Sequence, residues 1–320
     1  MTKALVRRAA FMTLKIHVEE PLALNAELTS NLASLAFQKD GPALSAQRFA
    51  WTYTRGYDDV KVVSAFSDGS KIGQLGCLFK TFVLNDRECT AAELVDLFVS
   101  PDYRSTKVAS LLYKEMKTIV AQKDAQLIFA YANAGASVLN RRHFRMDEAT
   151  SLPVRLGLAP PLSFLRPGRL VSVRNDIEGV AQACIQCASP EASGIRLSLE
   201  QMKRRISSPV YRYLCATDGE VAILASPRII RSVPLLLICA TFAPARVGSS
   251  RSIRHLVHSL CRATSQSAYL YVGWNDAIGQ GPGLGMPERL LKDKFVIQSN
   301  FLAQNRNRIE RFELLDVDYG

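Results

Sequence analysis

Apolar residues along the chain follow two periodicities, which predict short strands separated by helices. The run 94–99 is rich in strand-forming residues and stops shortly before Pro101. After a turn of small residues, apolar positions in 105–122 recur every three or four residues, as on one face of a helix. The same spacing predicts helices over 22–37 and 252–263, so the pattern indicates a mixed α/β protein.

The turn between the strand at 94–99 and the helix at 105–122 is suited to binding an anion. A helix that starts directly after a strand presents backbone N–H groups with no intrahelical acceptor, together with the positive end of its dipole. The ligand that this arrangement predicts is a phosphorylated cofactor.

The same segment resembles the acetyl-CoA signature of the GNAT acyltransferases, the Gcn5-related N-acetyltransferase superfamily. In that family an apolar strand leads into Val-x-Pro, then an Arg, and then a turn with two small residues. The matching positions here are Val99, Pro101, Arg104, Lys107 and Ala109. The resemblance covers roughly residues 10–157.

Further matches to the family lie downstream of the signature, and some positions depart from it. The predicted strand 126–133 ends in Asn133, as the family's next strand does, and the positions after it also match: Ala136, Leu139 and Phe144. Lys107 stands where the family usually has Gly, whose lack of a Cβ leaves room for phosphate oxygens. Asn140 replaces a Tyr that in the family often protonates the departing thiolate, and His143 replaces a Gly.

The resemblance implies that acetyl-CoA or another acyl-CoA is the co-substrate. Backbone N–H groups at 97–99 would bind the thioester, and the turn 104–109 would cap the pyrophosphate. The residues that the resemblance assigns to the donor are Leu97, Phe98, Val99, Arg104, Ser105, Thr106, Lys107, Val108, Ala109 and Asn133.

Two acidic residues on or beside the signature strand are candidates for deprotonating an acceptor amine through a water molecule, namely Glu93, which is slightly favoured, and Asp96. In a regular strand, positions three apart face opposite sides of the sheet, so only one could line the acceptor cleft unless a bulge redirects the other. Tyr103 and Tyr131 are candidates for protonating the thiolate, and each is equally explained by packing. No Cys or Ser stands beside a plausible triad, so we expect direct attack without a covalent enzyme intermediate.

The order of elements in the first half recurs in the second half. Asp218-Gly219 with its following strand resembles Asp68-Gly69, and the segments at 235–244 and 268–275 repeat those at 94–101 and 126–133. We interpret the second half as a divergent copy of the same fold in which the cofactor signature is lost.

This repeat gives the predicted fold class and domain boundaries. We predict an α/β (α+β) protein of two tandem GNAT-like domains, each with a mixed central sheet flanked by helices. The acyl-CoA-binding domain covers residues 1–157 and the divergent copy covers 158–320. A segment rich in Pro and Gly at 151–170 lies at the boundary and is expected to be a packed linker.

Composition limits the partners and the compartment. The 40 basic and 29 acidic residues give a net charge of +11, which suits a polyanionic cofactor or an acidic partner, while nucleic acid is unlikely because no recognised binding motif is present. No apolar run approaches the roughly 20 residues that a membrane span needs. Seven cysteines in a long chain favour a cytoplasmic protein with free thiols.

Two local motifs have no predicted functional role. Cys184 and Cys187 have metal-ligand spacing without a second pair, so no metal site is predicted. The basic run 203–205 is expected to be a solvated helix face.

The leading hypothesis is therefore an N-acyltransferase that moves an acyl group from acyl-CoA to a primary amine. The acceptor would be a small metabolite, an amino sugar or a peptide. Two alternatives remain open: a non-catalytic binding or scaffold protein that retains the fold, and an acyltransferase whose donor is an acyl carrier protein.

Overall fold

The structure, a computed structural model, describes residues 14–38, 41–104, 106–131, 133–159, 171–189, 192–230, 232–244, 250–287, 289, 291, 295–302 and 309–316. These residues form two mixed β-sheets with helices on their faces. The predicted fold class, two tandem α/β domains, is confirmed.

The first sheet has eight strands within the described residues. Seven of them lie in this spatial order: β1 (Leu14–Glu19), β2 (Asp59–Ser67), β3 (Ser70–Leu84), β4 (Arg87–Val99), β5 (Leu127–Tyr131), β15 (Val296–Phe301) and β6 (Glu148–Ser151). The eighth is β9 (Gly194–Ile195), which pairs with β3. The β4–β5 pair is parallel, and the other pairs are antiparallel.

The second sheet also has eight strands in the described part of the chain. Seven lie in this order: β14 (Leu284–Gly285), β7 (Val154–Leu158), β13 (Ala268–Asn275), β12 (Val233–Phe242), β11 (Ala222–Ile230), β10 (Leu214–Thr217) and β8 (Ser172–Arg174). The eighth, β16 (Arg311–Glu313), pairs with the end of β13. Its β12–β13 pair is parallel, as the β4–β5 pair is in the first sheet.

Seven α-helices accompany the two sheets in the described ranges. They are α1 (Ala26–Phe37), α2 (Ala46–Trp51), α3 (Val108–Gln122), α4 (Ala134–Phe144), α5 (Ile177–Cys187), α6 (Leu199–Ile206) and α7 (Ser250–Ala263). The three helices predicted from periodicity correspond to α1, α3 and α7. No helix in the described ranges is long and apolar enough to cross a membrane.

Each sheet has one face covered by its own helices, and the other faces meet in a shared core. α3 and α4 cover one face of the first sheet, where Leu112 and Met116 are fully buried, and α7 covers one face of the second sheet. The largest core cluster joins Phe129 of β5 to Leu237 of β12 and to the helices α5 and α6. Burial of these apolar side chains is the main term that keeps the two sheets together.

Strands near the predicted boundary are exchanged between the sheets. β7, which runs up to and across the boundary, pairs with β13 of the second sheet, and β15, far beyond the boundary, lies between β5 and β6 of the first sheet. The boundary at 157/158 therefore remains a prediction about chain organisation, since each sheet contains a strand from the other half. Within the predicted linker at 151–170, residue 151 is the last residue of β6 and residues 154–158 form β7. Residues 160–170 lie outside the described residues.

Backbone irregularities repeat at matching positions of the two halves. Asp68-Gly69 and Gly219 all have positive φ, at the turns that join β2 to β3 and β10 to β11. β4 has a bulge at Asp96, and β12 has one at Cys239, five residues before Pro101 and Pro244 respectively. A bulge is a specific local feature, so its recurrence supports a second copy of one fold.

Candidate active site

The strands β4 and β5 separate at the point where the signature begins. Residues 91–94 of β4 pair in parallel with 127–130 of β5, but β4 continues to Val99 while paired only with β3. Within the described residues, 95–99 have no partner strand on the side of β5. This open edge carries backbone N–H and C=O groups that can pair with a ligand.

A β-bulge at Asp96 lies at the start of the open edge. Gln74 of β3 pairs with Phe98, and Gly76 pairs with Val95, so two β4 residues oppose one residue of β3. Asp96 takes the extra position with φ of 52°, a left-handed conformation that Asp tolerates better than most residues. The bulge was one of the two alternatives left open by the sequence.

The bulge directs Asp96 to the same face of the sheet as Glu93. Arg48 Nη1 in α2 donates to both carboxylate oxygens of Asp96 at 3.0 and 2.9 Å, and the hydroxyl of Tyr53 also donates to this carboxylate. Gln74 Nε2 donates to the same Tyr53 hydroxyl at 3.0 Å. The Asp96 side chain remains 12% exposed.

Gly76 provides the room for this arrangement. A Cβ on Gly76 would lie 3.2 Å from the Tyr53 hydroxyl and 3.0 Å from Cγ2 of Val95. Any larger residue there would press on the side chain that donates to Asp96. Gly76 therefore makes the contact between Tyr53 and Asp96 at the bulge possible.

Glu93, the other candidate base, lies in the interior as part of an ion pair. Its carboxylate is 2.5 Å from Lys80 Nζ, and the residue is 1% exposed. Lys80 also donates to the backbone carbonyl of Asp316 at 2.7 Å and lies over the ring of Tyr57. This contact joins the first sheet to the C-terminal segment, which indicates a structural role for Glu93.

The turn after β4 offers backbone amides, while its arginine is occupied. Arg104 donates through Nε to the carbonyl of Val99 at 3.4 Å and through Nη2 to the carbonyl of Ala36. Thr106 Oγ1 donates to the carbonyl of Tyr103 and accepts from the amide of Val108. The predicted donor-binding residue Ser105 lies outside the described residues.

Two amides at the start of α3 remain available for a ligand. The N–H groups of Lys107 and Ser110 have no acceptor among the described residues. α3 lies close to the sheet because Gly73 has no side chain: a Cβ there would lie 2.8 Å from Cγ1 of Val108. The positive end of the α3 dipole is therefore brought next to the end of β4.

Asn133 and Asn140 have local structural partners. Asn133 caps α4, since its side chain accepts from the amide of Ala136 at 2.9 Å. Asn140, at the position of the family's Tyr, is 1% exposed, accepts from the Tyr113 hydroxyl at 2.6 Å and donates to Gln298 of β15 at 3.0 Å. Burial raises the pKa of Tyr113, so this phenol keeps its proton.

In the second half, the equivalent opening is filled by the chain itself. β12 and β13 pair only at residues 236–238 and 269–271, and β16 then pairs with the last residues of β13. The Glu313 carboxylate accepts from the amide of Thr241 at 3.0 Å and from its hydroxyl at 2.6 Å. Asn275 donates to the carbonyl of Thr241 from the other strand.

Comparison with known proteins assigns the first half to a family. Residues 27–144 match the family model described as Acetyltransferase (GNAT) family. Over these residues the chain is similar to the GNAT family. The matched segment contains β2 to β5, the bulge and the start of α3, which are the elements that form the candidate site. No curated protein matches this chain.

Solved structures share the tandem GNAT fold over nearly the whole chain. A probable N-acyltransferase of unknown function from Enterococcus faecalis V583 has a TM-score of 0.62 at 10% identity, covering 91% of this chain and 73% of that chain. A tandem GNAT protein from the clavulanic acid biosynthesis pathway has a TM-score of 0.52 at 11% identity, covering 92% and 100%. Saccharomyces cerevisiae N-myristoyltransferase with bound myristoyl-CoA has a TM-score of 0.55 at 12% identity, covering 95% and 85%.

Sequence reasoning missed the cations that pair with the two carboxylates. Arg48 directly precedes Phe49 and Lys80 directly follows Phe79, and both are more than 90% buried. A charged residue in an apolar context needs a partner, which is the signal that could have identified them. The basic run 203–205 was wrongly expected to be fully solvated: Arg205 is 6% exposed, with its guanidinium over the rings of Tyr57 and Trp51.

All seven thiols are free, and Cys184 and Cys187 are buried in the core. Among the described residues no group of three or more His, Cys, Asp or Glu side chains could hold a metal ion.

Proposed function

We propose that this protein is an N-acyltransferase that transfers an acyl group from acyl-CoA to a primary amine, and that the N-terminal domain carries the reaction. The observation that carries the proposal is the open edge of β4 at 95–99, next to the free amides at the start of α3. The second copy has the same strand geometry but closes it with Glu313. One site per chain is therefore expected.

The donor binds along β4 and at the start of α3. The pantetheine amides pair with the open strand edge, and the amides of 97–99 donate to the thioester carbonyl oxygen as negative charge develops on it. The pyrophosphate lies against the N–H groups of Lys107 and Ser110, where the Lys107 ammonium adds a charge contact. N-myristoyltransferase, with myristoyl-CoA bound in the same fold, supports an acyl-CoA donor.

The reaction is a direct displacement. The amine nitrogen bonds to the thioester carbonyl carbon, the carbon–sulfur bond breaks, and the thiolate leaves with a proton taken from water. The amine gives one proton to Asp96 through a water molecule. We favour Asp96 over Glu93 because it lies on the open part of β4 and keeps solvent access, whereas Glu93 is enclosed with Lys80.

The acceptor is a primary amine of a small metabolite, an amino sugar or a peptide, and the reaction takes place in the cytoplasm. The seven free thiols support a reducing compartment.

Binding and turnover test this function separately. Acetyl-CoA and longer acyl-CoAs are titrated in a thermal-shift assay, followed by measurement of free thiol release with a panel of primary amines. We expect an increase in melting temperature at donor concentrations above Kd, and thiol release with at least one amine. No stabilisation at millimolar acyl-CoA would contradict the proposal.

A non-catalytic binding protein is the second candidate. It is favoured by Asn140, which occupies the position of the family's Tyr and is fully engaged with Tyr113 and Gln298. Stabilisation by acyl-CoA without thiol release from any amine would support this candidate.

A further inference from the structure

A row of hydrogen bonds crosses the first half of the protein between α1 and the first sheet and ends at Asp96. Lys71 Nζ lies 3.0 Å from Oγ1 of Thr29, which lies 3.0 Å from Oε1 of Gln74. The other end of the same amide, Gln74 Nε2, lies 3.0 Å from the hydroxyl of Tyr53, and this hydroxyl contacts the Asp96 carboxylate. We call these five side chains the polar row.

The polar row is enclosed by the fold. Thr29, Gln74 and Tyr53 are buried, and the side chain of Lys71 is 1% exposed. Tyr53 belongs to an apolar core cluster that joins α1 and α2 to the sheet. Apolar groups of the same shape can replace a buried hydrogen-bonded set at little cost in stability. Stability alone therefore does not account for the polar row.

The second half has a similar bulge with a hydrophobic interior. β11 and β12 change register between Leu224 and Ala225, where β12 contributes Ile238, Cys239 and Ala240. All five side chains are hydrophobic and at most 4% exposed. A bulge between these two strands is therefore compatible with apolar packing. Among the described residues, the polar row lies in the half whose strand edge is open at 95–99.

The charges at the two ends fix the direction of the hydrogen bonds in the polar row. An ammonium has protons and no lone pair, so Lys71 donates, and Thr29 donates its own proton to the carbonyl oxygen of Gln74. The NH₂ group of this amide then donates to the Tyr53 oxygen, whose proton is left for Asp96. Every bond donates towards the carboxylate, and bonds arranged in this way polarise one another.

Glu19 of β1 keeps the far end of the polar row charged. Its carboxylate lies 2.6 Å from Lys71 Nζ and also accepts from the hydroxyl of Ser64. Burial is the main cause that lowers the pKa of Lys71, and the Glu19 carboxylate opposes this shift. The ion pair therefore favours the ammonium form inside the protein.

We propose that the polar row positions the base of the reaction, because it keeps the Tyr53 hydroxyl donating to Asp96. Its positioning residues are Lys71, Thr29 and Gln74. This role rests on the proposed function, in which Asp96 takes a proton from the acceptor amine. If the Gln74 amide turned over, its oxygen would face Tyr53 and compete with Asp96 for the hydroxyl proton. The contact from Thr29 opposes this rotation.

The groups around Asp96 decide what the polar row contributes. Arg48 of α2 and Tyr53 both contact the carboxylate, and Glu93, on the same face of β4, is paired with Lys80. Arg48 keeps its charge throughout the pH range of an assay. Loss of the hydroxyl donor disfavours the ionised form of Asp96, so the lower inflection in the pH profile of kcat/KM should move to higher pH.

Two substitutions inside the polar row and one outside it provide the test in the full chain. Gln74→Glu keeps the shape of the side chain but places a second carboxyl group beside the Tyr53 hydroxyl. Thr29→Val removes the hydroxyl that orients the amide. The matched control is Thr52→Val, the same change at a fully buried threonine whose hydroxyl has no hydrogen-bond partner among the described residues.

We expect Gln74→Glu to raise the lower inflection of the kcat/KM profile by about one pH unit or more, since two neighbouring carboxyl groups do not both ionise easily. Thr29→Val should raise it by about half a unit, as expected for the loss of one hydrogen bond. Above the shifted inflection kcat should return to within about threefold of the wild type, and KM for acyl-CoA should stay within about twofold. Thr52→Val should leave the inflection unchanged.

A merely structural role gives another pattern. Activity would then fall equally at every pH, in step with a lower melting temperature, while the inflection stayed in place. Unmoved inflections in the two variants of the polar row would overturn the inference, and so would an equal shift in Thr52→Val. If Gln74→Glu does not fold, the nearly isosteric Thr29→Val decides the question.

Failure of the proposed function is a different result, namely no thiol release by the wild type with any amine. The carboxyl group of Asp96 is then titrated in the resting protein by ¹³C NMR with labelled aspartate, and its signal is assigned with Asp96→Asn. The midpoint should be higher in Gln74→Glu and in Thr29→Val than in the wild type. Equal midpoints would show that the polar row does not act on Asp96.

Discussion

The backbone N–H of Thr241 lies 3.0 Å from both carboxylate oxygens of Glu313. In the first half the equivalent position is Phe98, in the stretch of β4 that has no partner strand on the side of β5 within the described residues. The same strand position therefore meets a carboxylate of the chain in one half and an open edge in the other. A gap that is open in the first half is therefore closed by an internal contact in the second.

The number of donor molecules per chain follows from this contact. We expect isothermal titration with acetyl-CoA or a non-hydrolysable analogue to give one site per chain, because Glu313 occupies the second gap. Substitution Thr106→Asp, which adds negative charge at the predicted pyrophosphate turn, should abolish this site. A stoichiometry of two would contradict the assignment of the second gap as closed.

The stability of the protein should depend on pH through Glu313. Burial is the main cause that raises its pKa, to about 7. The pKa of Glu313 is higher in the folded protein than in the unfolded chain, so protonation of this carboxyl stabilises the folded state. Its contribution to the free energy of unfolding is fully present below about pH 4.5 and is lost as the pH rises towards 7. The expected loss is about 3 kcal/mol, at 1.36 kcal/mol per pKa unit.

Glu313→Gln should make this dependence shallower in chemical denaturation measured between pH 5 and pH 8. A slope remains, since burial also raises the pKa of Asp316. The control is Glu27→Gln, which changes an exposed glutamate on α1. An unchanged slope in the Glu313 variant would show that this carboxyl does not titrate in the window.

Asp96→Asn should lower kcat with little change in acyl-CoA affinity. Asparagine retains an oxygen that can accept from Arg48 and Tyr53 but cannot take the amine proton, so a 10²- to 10⁴-fold loss is expected, as is typical of general bases. The matched control is Asp102→Asn, an exposed carboxylate a few residues farther along. Retention of full kcat by the Asp96 variant would remove it from the proposed mechanism.

Lys80→Met should strongly destabilise the fold. It removes the Lys80 ammonium from the buried Glu93 carboxylate, and removal of one member of a buried pair costs about 3–5 kcal/mol. The double variant Lys80→Met with Glu93→Leu should recover much of this loss in thermal unfolding. The control is Arg196→Met, which breaks an exposed pair with Glu88 and should cost less than about 1 kcal/mol.

Gly73→Ala should weaken donor binding. The added Cβ would lie 2.8 Å from Cγ1 of Val108, so the start of α3 must move away from the sheet. Overpacking of this kind costs about 1–3 kcal/mol of stability, and the displaced amides should raise Kd for acyl-CoA. Gly135→Ala is the control, because its Cβ would have only an ordinary contact at 3.5 Å.

The local part of the site could be predicted from the sequence. β4, α3 and β5 each carry a strong periodicity, and the turn between β4 and α3 follows from Pro101 and small residues. The bulge at Asp96 could only be stated as an alternative, because a single residue with positive φ leaves no periodic signal. It is defined by pairing with β3, which a pattern along one strand does not contain.

The non-local part could not be predicted. Arg205 belongs to a basic run that looks solvated, and its burial depends on the rings of Trp51 and Tyr57 about 150 positions away in the chain. The position of β15 next to β5 is also a long-range choice, since one short apolar strand can pair with many edges. Such choices depend on tertiary packing, which outweighs local preference.

The position of β15 has a consequence for how the chain is made. Residues 296–301 complete the first sheet between β5 and β6, and they leave the ribosome only after every other strand of that sheet has been synthesised. The first sheet must therefore wait, with the edge of β5 exposed, until β15 has been synthesised. Both halves acquire their native form together, and an isolated N-terminal fragment would present an unpaired strand edge prone to aggregation.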